Sequence, residues 1–216
     1  KQCLVGSEMC IRDRERWTNT HHRIEYFKYW RYSKFYREYM IFIITGPSGV
    51  GKNTIINELS NHIDFHFSTS YTTRPRRDNE TEGQDYYFIT HQQFNDLIKK
   101  NHMLEYEEYG GYFYGTPKSE INRDGIVILD LEVNGATKLL KSNSDYIGIF
   151  IDINDDELIN RLVSRGHDED FINKRMILAN SQREHSAEYD YYIENQDLNT
   201  AVNNIIDIIC KLEEQW

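Results

Sequence analysis

Gly46-Pro47-Ser48-Gly49-Val50-Gly51-Lys52-Asn53-Thr54 decides how this chain is read. It follows the apolar run Met40-Ile41-Phe42-Ile43-Ile44-Thr45 and precedes Ile55-Ile56-Asn57-Glu58-Leu59, which has the character of a helix. Strand, glycine-rich loop and helix in that order turn a G-x-x-x-x-G-K match into a phosphate-binding loop. Three glycines let successive backbone N–H groups turn toward one point and remove the Cβ atoms that would block a phosphate. The helix that follows presents unsatisfied N–H groups and its positive dipole end to the same anion. Lys52 adds a mobile charge for the outer phosphates. The residue after Lys52 is Asn53 rather than the Ser or Thr of most such loops, and Thr54 comes one later. A Mg²⁺ ligand from this loop would therefore be Thr54 or water.

Composition narrows the possibilities. The 216 residues suit one α/β domain with inserted subdomains, and the net charge of −10 argues against a general nucleic-acid binder. Cys3, Cys10 and Cys210 form no C-x-x-C pair, so neither a disulfide framework nor a zinc site is expected, and a reducing, cytoplasmic setting fits. The eight histidines show no metal-ligand spacing, and no apolar run is long enough to span a membrane.

Residues 1–39 differ from the rest. They hold nine Lys/Arg against five Asp/Glu, and eight aromatics crowd into 26–39 without marking one helix face. There is no apolar signal region. The expectation is an upstream extension, disordered or non-native, with the functional domain over 40–216. Basic and aromatic residues interleaved in this way also suit a single-stranded nucleic-acid platform, a weaker reading.

Along the domain, Phe65–Ser70 and Tyr86–Ile89 suggest short strands. Thr90-His91-Gln92-Gln93 is a capping box that opens a helix with Phe94, Leu97 and Ile98 on one face. Met103–Tyr109 and Tyr112–Thr116 flank a Gly110-Gly111 turn. The region 69–118 fits a mixed-β insertion on a parallel core. Ile126–Asp130 is a buried strand ending in an acid, where a ligand for Mg²⁺ or its water is expected. Helix 134–142, strand 147–151, helices 155–165 and 171–185, strand 191–193 and an amphipathic C-terminal helix complete the alternation of a parallel sheet. Asp168-Glu169-Asp170 reads as a solvated turn.

The cations gather in two groups. Arg161 and Arg165 lie four apart on one predicted helix, with Arg175 on the next. Arg74 and Arg77 form the other group. Two arginine clusters and a phosphate loop imply two anionic ligands, a nucleoside triphosphate and a phosphorylated acceptor. An acceptor phosphate is already a nucleophile, so catalysis reduces to positioning and charge neutralisation. On strand 103–109, Glu105 and Glu107 share one face and Glu108 takes the other, so alternation alone leaves either of the first two as a ligand-reading acid.

At this point the chain resembles the guanylate kinases, ATP:GMP phosphotransferases, over residues 40–212. The resemblance rests on Gly46–Thr54, Ser70-Tyr71-Thr72-Thr73-Arg74 with Arg77, and Gly83-Gln84-Asp85-Tyr86. Further along, it rests on Glu105 before Gly111-Tyr112-Phe113-Tyr114-Gly115-Thr116, and on Ile128-Leu129-Asp130-Leu131-Glu132 before Gly135. It extends through Arg161-Leu162, Arg165-Gly166, Arg175 and Tyr189-Asp190-Tyr191 before Asn195. It implies a P-loop NTPase-type three-layer α/β core with a parallel sheet, a GMP-binding subdomain at 69–118 and a helical lid at 155–180. By the same resemblance the loop, Gly46 to Thr54, holds ATP. Ser70, Arg74, Arg77, Tyr86 and Tyr114 hold the GMP phosphate. Glu105 and Thr116 read guanine with Glu132, which stands where the family carries Asp. Lys52, Arg161, Arg165 and Arg175 do the charge work of transfer. Thr54 and Asp130 support Mg²⁺, directly or through water.

The implied substrates are ATP and GMP or dGMP, for a monomer or homodimer in purine nucleotide metabolism, with neither nucleic acid nor membrane as partner. Two other functions compete. A ribose 1,5-bisphosphate phosphokinase would share the loop but have no use for Glu105. A non-catalytic phosphopeptide-binding module of guanylate-kinase type would typically lack Lys52 and the lid arginines.

Overall fold

The computed structural model describes residues 39–214, and the expectations for residues 1–38 lie outside them. Five strands make a parallel sheet in the order β2-β7-β1-β8-β9. They are β1 (Tyr39–Thr45), β2 (His66–Phe67), β7 (Gly125–Asp130), β8 (Tyr146–Asp152) and β9 (Tyr191–Glu194). The central strand β1 pairs with β7 on one side and β8 on the other, with Ile43 opposite Leu129 and Gly148. Such a strand must be apolar on both faces. Ile41, Phe42, Ile43 and Ile44 are accordingly buried.

The period of two in a strand sends these residues into two separate cores. Phe42 and Ile44 join Ile126, Ile128, Ile149 and Ile151 beneath three helices, α1 (Lys52–Leu59), α4 (Asp155–Ser164) and α6 (Leu198–Glu214). Ile41 and Ile43 join Val127, Leu129 and Phe150 beneath α3 (Val133–Ser142). Helices therefore cover both faces of the sheet, as the three-layer expectation requires. The stripe Val202, Ile205, Ile206 and Ile209 of α6 is core, joined by Ala201 and Ile208.

A second, four-stranded sheet lies between β2 and β7 in sequence. It has the order β4-β3-β6-β5 and is made of β3 (Tyr71–Thr72), β4 (Tyr87–Phe88), β5 (Met103–Tyr109) and β6 (Tyr112–Pro117). Its pairings mix parallel and antiparallel. Helix α2 (His91–Lys99) packs on it through the fully buried Phe94, whose ring stacks on Phe113 at 5.3 Å. The predicted capping box is present in full: Thr90 accepts from the Gln93 N–H, and the Gln93 side chain accepts from the Thr90 N–H. Two connections join the sheets, Ser68–Ser70 on the way out and a 3-10 turn, Lys118–Ile121, on the way back.

Several element bounds change: the strand expected over 86–89 is Tyr87–Phe88, and the helix expected to reach 185 ends at Arg183. The strand expected over 65–70 narrows to His66–Phe67, because only these residues find a ladder at the sheet edge before the chain departs for the second sheet. β1 begins at Tyr39 rather than Met40, with Tyr39 opposite Gly125. Asp168-Glu169-Asp170 is a helix start rather than a turn. The Asp168 side chain accepts from the Phe171 N–H at 2.8 Å, and Glu169 and Asp170 fill the first turn of α5 (Glu169–Arg183), where acids favour the helix dipole. Among the described residues no helix is long and apolar enough to cross a membrane.

Candidate active site

The loop leaves β1 at Gly46, whose φ of 143° belongs to glycine. A Cβ there would stand 1.9 Å from the Ile151 carbonyl oxygen of β8, so no side chain fits. Lys52 is the first residue of α1 and donates from Nζ to the Gly46 carbonyl at 2.8 Å, folding over the loop. Pro47 and Val50 are buried, Gly49 and Gly51 half-buried, and Ser48, Asn53 and Thr54 exposed. The Val50 carbonyl accepts two long-range donors, Asn195 Nδ2 at 2.7 Å and Arg161 Nη1 at 2.9 Å. Arg161 also donates to the Asn195 carbonyl and to Glu157 Oε1.

Asp130 ends β7 alongside β1. Burial raises its pKa, and the Lys52 charge opposes the rise. Glu132, two residues on, stands at the N-cap of α3. Its pKa is also raised, by enclosure first, with Lys52 and Arg175 opposing and Asp130 and Glu107 adding. Glu132 is nonetheless exposed, so this enclosure is partial. Among the described residues no group of three or more His, Cys, Asp or Glu side chains could hold a metal ion by itself. The Asp130 carboxylate is the kind of donor that Mg²⁺ takes together with water and substrate phosphates.

In the second sheet, β5 and β6 set Glu105 opposite Thr116. Glu105 Oε1 accepts from the Thr116 N–H at 3.0 Å, and the hydroxyls of Thr116 and Ser70 share a hydrogen bond at 3.0 Å. Glu105 Oε2 lies so close to α3 that a Cβ on Gly135 would approach it to 2.8 Å. Burial raises the Glu105 pKa, the Thr116 hydrogen bonds lower it, and Glu107 and Glu132 push it up further. Glu107 takes a different partner, accepting from Asn134 Nδ2 at 3.1 Å. Of the two acids that alternation left open, it is thus Glu105 that joins Thr116 and Ser70.

Arg74 forks onto Glu80, with Nη2–Oε1 at 2.6 Å and Nη1–Oε2 at 2.9 Å, and its guanidinium lies 5.6 Å from the Tyr86 ring centroid. This arginine holds the Glu80 carboxyl below its ordinary pKa. Tyr86 meets Tyr114 edge-on at 5.9 Å, and burial, with Asp130 next, pushes its hydroxyl up to about 12. The Arg77 backbone N–H also donates to Glu80, leaving its side chain exposed. Arg74, Tyr86 and Tyr114 therefore meet, while Glu80 already occupies Arg74.

Arg161, Arg165 and Arg175 do not form one row. Arg161 lies beneath the loop, Arg165 caps α4 in an exposed position, and the Arg175 guanidinium sits 4.9 Å from the Phe171 ring centroid. Residues that sequence reasoning assigned no role complete the picture: Glu80, Asn134, Arg183 and Asn195. Of these, only Asn195 stands out in the sequence, as the end of a motif. The others act through partners that no local pattern reveals.

A family model described as guanylate kinase matches residues 38–212. The chain belongs to the guanylate kinase family. It is 40% identical over 178 residues to a protein named guanylate kinase from Enterococcus faecalis, covering 79% of this chain and 87% of that one. It has the same identity to one from Streptococcus pyogenes, 84% of which is covered. Among solved structures it resembles the crystal structure of guanylate kinase from Anaplasma phagocytophilum, with a TM-score of 0.66, 27% identity, and coverage of 82% of this chain and 87% of that one. The family match spans both sheets and the helices between β8 and β9, and the fold is that of a P-loop NTPase.

Proposed function

We infer that the protein transfers the γ-phosphoryl group of ATP to GMP, or dGMP, yielding ADP and GDP. The observation that carries this reading is the Glu105 carboxylate. It is bound to the Thr116 N–H and packed against Gly135, three residues beyond Glu132, whose charge interacts with Lys52. A base-reading acid and a phosphate loop thereby face one cleft. Guanine offers N1–H and an exocyclic amine side by side, which suit the acceptor oxygens of one carboxylate. A sugar phosphate has no such edge, so Glu105 would be an unused, half-buried acid in a ribose 1,5-bisphosphate phosphokinase. An intact loop with Lys52 disfavours a non-catalytic module.

In this reading residues 69–118 form the GMP-binding subdomain and 155–180 the lid. The loop N–H groups and Lys52 hold the ATP phosphates, while Arg74, Arg77, Tyr86 and Tyr114 receive the GMP phosphate with Ser70. Arg74 would exchange or share Glu80 as that phosphate arrives. A GMP phosphate oxygen attacks the γ-phosphorus in line, the bond to the bridging β,γ-oxygen breaks, and ADP leaves with its charge met by Lys52, Arg165 and Arg175. Arg161 contributes by fixing the loop from beneath. Asp130, directly or through water, and Thr54 would hold Mg²⁺, which when bound neutralises charge on the β- and γ-phosphates. Closure of the lid and subdomain excludes water and suppresses idle ATP hydrolysis.

A coupled assay of ATP turnover with GMP, AMP, dTMP and ribose 1,5-bisphosphate tests this. GMP should be the favoured acceptor. Turnover led by ribose 1,5-bisphosphate, or none with any acceptor, refutes it.

A further inference from the structure

Glu120 is a buried acid that the transfer chemistry does not use. It sits in the 3-10 turn Lys118–Ile121, on the returning connection between the sheets, and only 4% of it is exposed. Its Oε2 accepts from the Thr69 N–H at 3.0 Å and from His66 Nε2 at 2.7 Å. Arg123 Nη2 lies 3.8 Å from Oε1. Thr69 is on the outgoing connection, and His66 is in β2, the edge strand of the core sheet. One carboxylate thus closes the root of the whole inserted sheet, joining its entry, its exit and the core.

The bonds continue toward the nucleotide side. Thr69 is followed by Ser70, whose hydroxyl bonds that of Thr116, whose N–H in turn bonds Glu105. The outgoing connection is held on either side of Thr69, by the Ser68 N–H to the Ile128 carbonyl and by the Tyr87 N–H to the Ser70 carbonyl, while Glu120 is the acceptor for the Thr69 N–H between them. A shift of Thr69 would move Ser70 with it and disturb the three groups together.

We propose that Glu120 is a positioning residue for the acceptor nucleotide, holding Ser70, Thr116 and Glu105 in binding register from the far side of the junction. The inference rests on the reading of those three residues as the GMP site. The P-loop hangs from β1 and α1 and shares no bond with this junction, so ATP should be indifferent to it.

The test is steady-state kinetics of Glu120→Ala, Glu120→Asp and Glu120→Gln in the full chain, with melting temperatures. Loss of a hydrogen bond to a charged group predicts that Glu120→Ala raises KM for GMP about tenfold, with KM for ATP and kcat within about twofold. Glu120→Asp keeps the charge but pulls the junction inward, and should raise KM for GMP about threefold at near-normal melting temperature. Glu120→Gln retains an oxygen for the Thr69 N–H and should stay within about threefold of the unchanged protein. If Glu120→Ala does not fold, Glu120→Asp decides the matter. A KM for GMP unchanged in both, or KM values for ATP and GMP rising in parallel, overturns the proposal and leaves Glu120 a purely structural acid. A wild-type protein that does not phosphorylate GMP overturns the parent reading, and the inference falls with it.

Discussion

Asn195 donates its side-chain amide to the Val50 carbonyl at 2.7 Å across 145 residues of chain, and Arg161 donates to the same oxygen. The phosphate loop is therefore fixed from beneath by the segment after β9 and by helix α4. Truncating Asn195 leaves Val50 with Arg161 alone and frees the loop to sample other conformations. Asn195→Ala should raise KM for ATP several-fold, the scale of a lost hydrogen bond of about 1 kcal/mol, while KM for GMP stays unchanged. Equal effects on both substrates would show that the bond supports the fold generally rather than the loop.

Lys52 is the positive charge that opposes the pKa rise of both Asp130 and Glu132. Lys52→Ala removes it from the cleft as well as from the transferring phosphates. Stabilisation of developing charge by one fixed group is commonly worth about 10²–10³-fold in kcat, and a loss at or beyond that scale is expected with the fold intact. Circular dichroism and kcat should be measured together. Near-normal turnover would remove the kinase reading.

Much of this arrangement is legible in the sequence, because it is local. The loop, the capping box at Thr90 and the Gly110-Gly111 turn each depend on residues within a few positions of one another. The buried strands show in their unbroken apolar runs. What the sequence hides depends on pairing at long range. Nothing near Arg74 announces that Glu80 folds back onto it, and the separation of Arg161 from Arg165 follows from where Val50 lies. Helical spacing placed both arginines on one face, but Arg165 lies just past the last helical residue, as the C-cap. The edge strand β2 was overestimated because its apolar and hydroxyl residues fit a strand, while the ladder available to it ends after two.

Gly135 gives a sharp test of the base site. A methyl added there would stand 2.8 Å from Glu105 Oε2, the end of a flexible side chain that can move aside. Ala also favours the helix that Gly135 occupies, by roughly 0.5–1 kcal/mol. Gly135→Ala should therefore keep or raise the melting temperature while raising KM for GMP, because the displaced carboxylate no longer meets the base. Unchanged GMP kinetics would show that Glu105 does not act from this position.

Glu105 itself couples function to pH. Its folded-state pKa lies above the ordinary 4.5, chiefly through burial. The folded protein therefore holds this proton to higher pH than the unfolded chain does. The sign follows: this group's contribution to stability falls as pH rises from about 4.5 through the raised folded pKa. Glu105→Gln cannot ionise, so its melting temperature should decline less over that interval than that of the unchanged protein. The same variant presents an amide N–H₂ where guanine needs an acceptor, and kcat/KM for GMP should fall by at least ~2 kcal/mol. Thermal melts from pH 4 upward, with GMP kinetics at neutral pH, check both halves; parallel melting curves or unchanged kinetics would contradict this account.

Arg183 ties the end of α5 to the start of α4 and the end of β8. It ends α5 and donates to both carboxylate oxygens of Asp152 at 2.8 and 3.0 Å, to the Ile153 carbonyl at 2.7 Å, and to Asp155, the first residue of α4. Asp152 is almost wholly buried, and Tyr192 supplies it with one further donor at 3.1 Å. Removing the guanidinium strands this carboxylate with the tyrosine and its own local backbone contact to the Ile153 N–H. Breaking one side of a buried pair costs about 3–5 kcal/mol, and the partial exposure of Arg183 and the surviving tyrosine bond place the expected loss for Arg183→Met nearer ~2–3 kcal/mol. Replacing Asp152 by Asn in the same chain removes the stranded charge and should restore part of that loss. Urea denaturation of the two single variants and the double variant isolates the coupling. Additive effects would mean that Arg183 stabilises this junction through its other contacts rather than through Asp152.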